Sequence, residues 1–454
     1  MGSPSSTGTP PERRPEPFRR STPIRLSLTT APGVRVEGDC IEGPTSRTRN
    51  IDPSLLARLE RGLPLDSLEP GAENRLPEHH IRVLDDLHGR RHLAVALGDA
   101  RDTPLLLVTP RERGVPIPRP VRVAHRGRLS RFAVIRRVGD VWEVESGRSP
   151  FIGRLSQSAL STLLDEAAAD QRASLLEQVL ASVGFLDDDD DAPGATLWEP
   201  LDRLFLEQAS DDRAAFPATF RFSSTVGPEP LNSTADGGDG ERVVSLPRPD
   251  TSTPDTGLWS TVHARRTIRS FDEQALHLDD LSRLLWHSLH ATHHAPRDPD
   301  DSLSQETALC PVPSTGALQA VRLWLDCRNV DTLETGPWRY DPVAHSLHRG
   351  HRRQPPADVE SWRSAMAAAP LIGHLVLRHP RIAWKYERVA AKLALLDAGA
   401  ALHGLQIAAT GLGLGLWPIA TGPIRSIQDY LGLDPDLDVP LAPVALGAPP
   451  RATR

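Results

Sequence analysis

The stretch Trp384-Lys385-Tyr386-Glu387-Arg388-Val389-Ala390-Ala391-Lys392 contains both lysines of the chain and one of its three tyrosines. All other residues among the 52 basic side chains are arginine. Downstream, Val389, Leu393, Leu396, Ala400, His403 and Ile407 recur in steps of four and three. That period predicts a long helix that opens in the lysine segment and keeps this stripe buried. Gly399 and Gly404 inside it each cost about 1 kcal/mol relative to alanine, which is tolerable where a helix or a flat ligand packs closely. Residues 398–424 carry no formal charge and are long enough to mimic a membrane span. Their glycines, His403, Gln406 and Pro418 favour a core helix running into a glycine-rich loop.

Working outward, Val321, Leu323, Leu325 and Cys327 alternate with Arg322, Trp324 and Asp326, the pattern of a half-buried strand. Residues 371–377 and 439–446 are further strands, and 261–265 and 278–289 read as helices. The N-terminal half has a different grammar. Residues 132–145 alternate around Gly139-Asp140 as a hairpin, followed by amphipathic helices over 156–168 and 172–183 that Gly184 can terminate. A looser version precedes it, with strands marked by Ile24, Leu26, Leu28, Val34 and Val36, helices near 53–61 and 76–87, and a strand over 92–97. Strands plus helices, twice over, suggest tandem winged-helix-like modules. The expected layout is a disordered segment 1–22, modules over 23–110 and 111–210, a Pro/Gly-rich linker 211–256, and a domain over 257–450. The class is α+β. Asp187 to Asp191 read as a solvated loop, with a metal site as the alternative.

Composition excludes several functions. The net charge of −7, with no basic block, argues against nucleic acid or an anionic membrane as partner. Cys40, Cys310 and Cys327 are too few and too dispersed for a disulfide framework. The first residues lack an apolar signal core, so a reducing, cytoplasmic compartment is expected.

Five features could carry chemistry. Arg265-Arg266-Thr267-Ile268-Arg269 sets three planar forks within five residues, an anion cradle or a solvated turn. Pro313-Ser314-Thr315-Gly316 lets backbone N–H groups approach a ligand, as does any ordinary turn. Gly411-Leu412-Gly413-Leu414-Gly415 ends the long helix without dinucleotide-fold spacing. His287, His290, His293 and His294 could hold a metal or decorate an exposed helix end. Lys385 and Tyr386 lie about 100° apart on a helix and can border one cleft. A desolvated lysine can act as a base near neutral pH, and a tyrosine beside an ammonium ionises more readily.

Taken in order, Arg265 to Phe271, Pro313 to Gly316, Tyr340-Asp341-Pro342, Lys385-Tyr386, Asp397-Ala398-Gly399 and Gly411 to Gly413 resemble the SagB-type dehydrogenases. These are flavin mononucleotide (FMN) enzymes of the nitroreductase fold that oxidise azolines to azoles in thiazole- and oxazole-modified peptides. The resemblance covers about residues 245–450. It departs at Gln319-Ala320, Asp397, His403-Gly404 and Ala420-Thr421-Gly422. It implies a mostly antiparallel sheet flanked by helices, preceded by modules that recognise a leader peptide. It further implies FMN held by Arg265, Arg266, Arg269, Ser314, Gly316 and a C-terminal Arg451, with the Gly413 loop against the ring. Lys385 and Tyr386 match the catalytic pair, Tyr386 acidified by Lys385 or Lys385 itself taking the ring proton. Implied partners are a precursor peptide, a cyclodehydratase and a second copy of the chain. The competing readings are an NAD(P)H-dependent nitro- or ene-reductase of small molecules and a flavin-free scaffold.

Overall fold

The computed structural model describes residues 24–450 apart from 44–45, 99–103, 112–113, 122–126, 166–169, 188–198, 210–226, 232–241, 251–256, 352, 367 and 387–388. The segment 1–22, most of the aspartate run, and Arg451 therefore lie outside the described residues. The chain divides into two compact units, the first essentially residues 1–207 and the second 214–454.

The first unit is built on one antiparallel sheet. Its strands are β1 (Arg25–Thr30), β2 (Leu63–Pro64), β3 (Leu93–Gly98), β4 (Leu106–Pro110), β5 (Ala133–Val138), β6 (Val141–Ser146) and β7 (Phe151–Leu155). They run in the order β2-β1-β3-β4-β7-β6-β5. Among the described residues, helices α1 (Pro53–Glu60), α2 (Glu78–Gly89), α3 (Gln157–Leu164) and α4 (Gln171–Ser182) accompany it, and α5 (Pro200–Ala209) follows them. Their starts follow local chemistry. Asp52, Ser156 and Asp170 each cap a helix by accepting a backbone N–H, and Pro53 stands where its missing donor costs nothing. Gly184 ends α4 in the left-handed region, as expected, and Phe185 behind it is fully buried.

The boundary drawn at residue 110 needs correcting. β4, which closes the first expected module, pairs with β7 of the second from Leu106↔Leu155 to Pro110↔Phe151. Each half alone leaves an open strand edge, and joining them satisfies both sets of backbone groups. Leu59, Leu84 and Leu97 of one half and Val144, Leu155 and Leu180 of the other then share a single core.

The second unit carries β8 (Val243–Ser245), α6 (Leu258–Ala264), α7 (Leu278–Ser288), β9 (His293–Ala295), β10 (Thr307–Leu309), β11 (Val321–Cys327), β12 (Gly336–Asp341) and β13 (Ser346–Arg349). It continues with α8 (Ala357–Ser364), β14 (Leu371–Arg378), α9 (His379–Tyr386), α10 (Ala390–Gly411), β15 (Gly415–Pro418), α11 (Ile424–Leu431) and β16 (Asp438–Gly447). Seven strands form an antiparallel sheet ordered β8-β13-β12-β11-β14-β16-β15. α10 and α7 cover one face over Leu281, Leu285, Leu323, Leu325, Leu375 and Leu405. α8 and α11 bury Val359, Ile427 and Leu431 against Trp324 and Val376.

Three expectations change here. Parts of the expected linker are folded onto this unit: β8 pairs with β13, Leu231 is buried, and Glu229 forms an ion pair with Arg378. A Val-Val-Ser run can complete a sheet edge whatever the composition around it. The lysine segment is divided between two helices, with Trp384, Lys385 and Tyr386 at the end of α9 and Lys392 in α10. Finally, α10 buries Ala390, Ala394, Asp397, Ala398, Ala401, Leu405 and Ala409, and not the expected stripe, in which Leu396 is 63% exposed. Mostly small residues face inward because the helix lies close to its neighbours, and Leu395 and Leu396 point out. α10 is the one described helix with the length and apolarity of a membrane span. It packs against α6, α7, α9, β15 and the Thr315 turn.

Candidate functional site

α9 follows β14 without a loop. It buries Arg381, Ile382 and Trp384 and leaves Lys385 and Tyr386, one turn after Arg381 and Ile382, half-buried. The Lys385 Nζ stands 5.7 Å from the centre of the Tyr386 ring. Burial acts on the two in opposite senses. It holds Lys385 below the ordinary lysine range. It raises Tyr386, and the Asp397 carboxylate raises it further. Both effects on Tyr386 run against the expected acidification by its neighbour. Burial keeps Tyr386 a phenol, and Lys385 releases its proton more readily than an exposed lysine.

The Pro313–Gln319 turn comes to this pair. An added Cβ on Gly316 would fall 2.8 Å from the Tyr386 Oη, so only glycine lets the phenol sit there. Gly316 has φ 59°, and Ala317 and Gln319 also adopt positive φ, 55° and 49°. For residues with a Cβ that conformation costs roughly 1–2 kcal/mol each. The surroundings hold it. Asp397 accepts the Thr315 N–H, 3.0 and 2.9 Å from its two oxygens, and the Thr315 hydroxyl at 2.8 Å. Gln319 donates from its backbone to the Ser314 Oγ (3.3 Å) and from its side chain to the Ala308 carbonyl (3.0 Å). Arg381 donates to the Leu318 carbonyl. Burial raises the Asp397 carboxyl, and the Thr315 donors oppose that.

Asp397 and Arg381 were not among the expected site residues. Asp397 left a signal: it is the one carboxylate between Glu387 and Asp429, set on a helix face of alanines. Arg381 left none in a chain with 50 arginines.

The arginine segment lies elsewhere. Arg265 closes α6, the chain then runs extended, and the Ile268 N–H bonds the Leu416 carbonyl of β15 at 3.1 Å. Ile268 packs on Gly415, where an added Cβ would lie 2.8 Å from it. Arg266 donates to the carbonyls of His263 and Arg265. Among the described residues no hydrogen bond or ion pair engages the side chains of half-buried Arg265 or exposed Arg269. Gly413 (φ 72°) ends α10: its N–H bonds the Thr410 carbonyl and that of Leu414 bonds Ala409. Termination of the helix thus accounts for this glycine, and its Cα still faces open space.

The candidate residues therefore form two groups. Val321, just past the turn, and Arg378, just before α9, mark one end of the sheet; Gly415, paired with Gly447, marks the other. Asp397 and Gly411 are fourteen residues apart on α10, which sets the groups about 21 Å apart. The histidines are scattered: His287 is in α7, His290 stacks on Trp286 at 3.9 Å, and His294 bonds Glu306 at 2.7 Å. Among the described residues no cluster suited to a metal occurs.

Residues 262–448 match the sequence pattern of the Nitroreductase family. This region is a nitroreductase-family domain. Its members bind FMN. The domain is 25% identical over 173 residues, 37% of this chain and 80% of the relative, to a protein of Methanocaldococcus jannaschii classed as a nitroreductase. Solved structures similar to it include a Ralstonia eutropha protein of the same class (21% identical, 51% of this chain, 98% of that one, TM-score 0.37). Another is the Escherichia coli microcin synthetase McbBCD complex with truncated pro-MccB17 bound (19%, 44% and 76%, TM-score 0.33). A third, from Desulfovibrio desulfuricans, is in complex with FMN (17%, 44% and 89%, TM-score 0.29). In the nitroreductase domain of this chain, both residue groups, from Arg265 to Gly413, fall within the matched span.

Proposed function

We propose that this protein is an FMN-dependent dehydrogenase that oxidises azoline rings to azoles in a ribosomally made peptide. The observation that carries the reading is Lys385: an amine whose proton burial loosens, beside a neutral phenol and against a turn held in an unusual conformation. The ordered motifs that resemble the SagB-type enzymes support it, as does a first unit with its own core, which a stand-alone reductase of small molecules does not need. In this reading the first unit captures the leader of the precursor peptide, and a cyclodehydratase supplies the rings.

The donors fit FMN in kind. Arg265 and Arg269 offer guanidinium forks without protein partners, suited to a phosphate, and the Ser314–Gly316 turn offers a close backbone approach. Bound FMN supplies a two-electron acceptor. Lys385 takes the proton from the ring carbon, and Tyr386, neutral, donates a hydrogen bond that holds the ring in place. With the two residue groups at opposite ends of α10, one chain presents two half-sites. A homodimer packed across α10 joins the arginine segment of one copy to the Lys385 end of the other, and the outward Leu395, Leu396 and Gly399 are the surface for it.

The test is mass spectrometry of a cyclodehydrated peptide incubated with the FMN-loaded protein. The wild-type chain should remove two hydrogens per ring, with a rate that rises with pH through a pKa below that of ordinary lysine. Lys385→Ala should lower the rate at least a hundredfold and abolish that limb, and Tyr386→Phe should lower it less. Undiminished azole formation by Lys385→Ala would falsify the assignment. The family match also supports a second reading, reduction of small molecules by NAD(P)H. Rapid bleaching of the flavin by NADPH, with no ring oxidation, would favour it.

A further inference from the structure

Arg381 is 2% exposed, on the turn of α9 preceding Lys385. Its guanidinium reaches three separate segments. It donates to the carbonyl of Leu318 in the strained turn, to that of Glu306 near β10 (2.9 Å), and to that of Glu229 in the segment preceding the domain (2.5 Å). Among the described residues its bonded partners are backbone carbonyls, with the Glu229 and Glu306 carboxylates acting at longer range and Arg322 opposing them. Placing a guanidinium so deep among carbonyls costs desolvation, and a lysine, whose three donors share one nitrogen, could not reach acceptors met here by three separate nitrogens.

The contact to Leu318 is the informative one. Leu318 lies between Ala317 and Gln319, the two non-glycine residues of this turn with positive φ, so its carbonyl direction is set by that conformation. Asp397 pins the front of the same turn at Thr315. Arg381 pins its back, and does so from the helix that carries Lys385 and Tyr386.

We propose that Arg381 is a positioning residue: through the Leu318, Glu306 and Glu229 carbonyls it fixes the Ser314–Gln319 turn against α9 and so sets the distance from the flavin-holding turn to Lys385. The inference rests on the function proposed above for the kinetics, though not for the geometry. Arg378 is the comparison. It is also buried and lies three residues earlier, and its side chain pairs with the carboxylates of Glu229 and Asp438.

The experiment uses full-length wild type, Arg381→Met, Arg381→Lys and Arg378→Met. Amide exchange, read without flavin, should be at least tenfold faster in Arg381→Met over residues 314–320 and 380–386, with β11 and β14 unchanged. In kinetics at saturating FMN, Arg381→Met should lower kcat at least tenfold and leave the peptide KM within about twofold, with Arg381→Lys intermediate. Arg378→Met should lower Tm and leave kcat within about twofold. Unchanged exchange in the turn overturns the proposal, as does a kcat loss in Arg378→Met equal to that in Arg381→Met. If Arg381→Met does not fold, Arg381→Lys decides by the same exchange measurement. A wild-type chain that binds no FMN and oxidises no ring overturns the functional reading, while the exchange result still decides Arg381.

Discussion

At Gly316 the backbone and a side chain make the same demand. Its φ of 59° disfavours any residue with a Cβ, and the Cβ direction is filled by the Tyr386 Oη at 2.8 Å. Gly316→Ala should cost about 1–2 kcal/mol in stability. Part of this loss is steric and belongs to the hydroxyl. Combining Gly316→Ala with Tyr386→Phe should therefore cost at least about 0.5 kcal/mol less than the two single losses added. Strict additivity in urea unfolding would mean that the glycine answers to the backbone alone. The turn was legible in the sequence as a Pro-Ser-Thr-Gly motif, but its partner was not. Tyr386 was singled out for its neighbour Lys385, whereas the groups that set its acidity, burial and Asp397, come from elsewhere in the chain.

At the scale of elements, α10 shows what a periodic pattern can hide. The leucines and His403 mark a stripe at helical spacing, yet the buried face is the alanine face next to it. Hydrophobicity ranks leucine above alanine, but a helix in close contact with α7, α9 and the Thr315 turn needs small residues inward. Strands over 321–327 and 371–378 were legible as short apolar runs, but both are buried on both faces, so the alternation over 321–327 does not mark a half-buried strand: Arg322, Trp324 and Asp326 are buried too. The outward leucines give the dimer proposal its test. Leu396→Glu removes no buried side chain, so the variant should keep its circular dichroism and Tm. It should elute as a monomer where the wild type elutes as a dimer, and should lose FMN on gel filtration. A variant that stays dimeric and yellow would place the partner surface elsewhere.

Over the whole molecule, buried neutral histidines set the response to acid. Burial lowers His88 in the first unit to about 4, and in the second it lowers His345 to about 4 and His374 to about 3. His345 shows why the neutral form is required. Tyr340 donates to its Nδ1 at 2.8 Å, its Nε2 meets the Ser282 Oγ at 2.9 Å, and Ser282 donates onward to the Pro247 carbonyl. A proton on Nδ1 would turn the acceptor of that chain into a donor facing a donor. The sign follows from counting protons. Between the ordinary histidine pKa of about 6.5 and these lowered values, the unfolded chain binds protons that the folded chain refuses, so stability rises with pH across that window and is lost as pH falls through it. For fully buried His374 the loss by pH 5 is on the order of 2 kcal/mol. Both units should therefore weaken from pH 7 to pH 5, read as faster amide exchange in the peptides of each. His374→Phe should flatten that dependence by about one proton in the second unit and leave the first unit's slope as it was, and His88→Phe should do the reverse. If each variant changed both slopes equally, the two units would be unfolding as one.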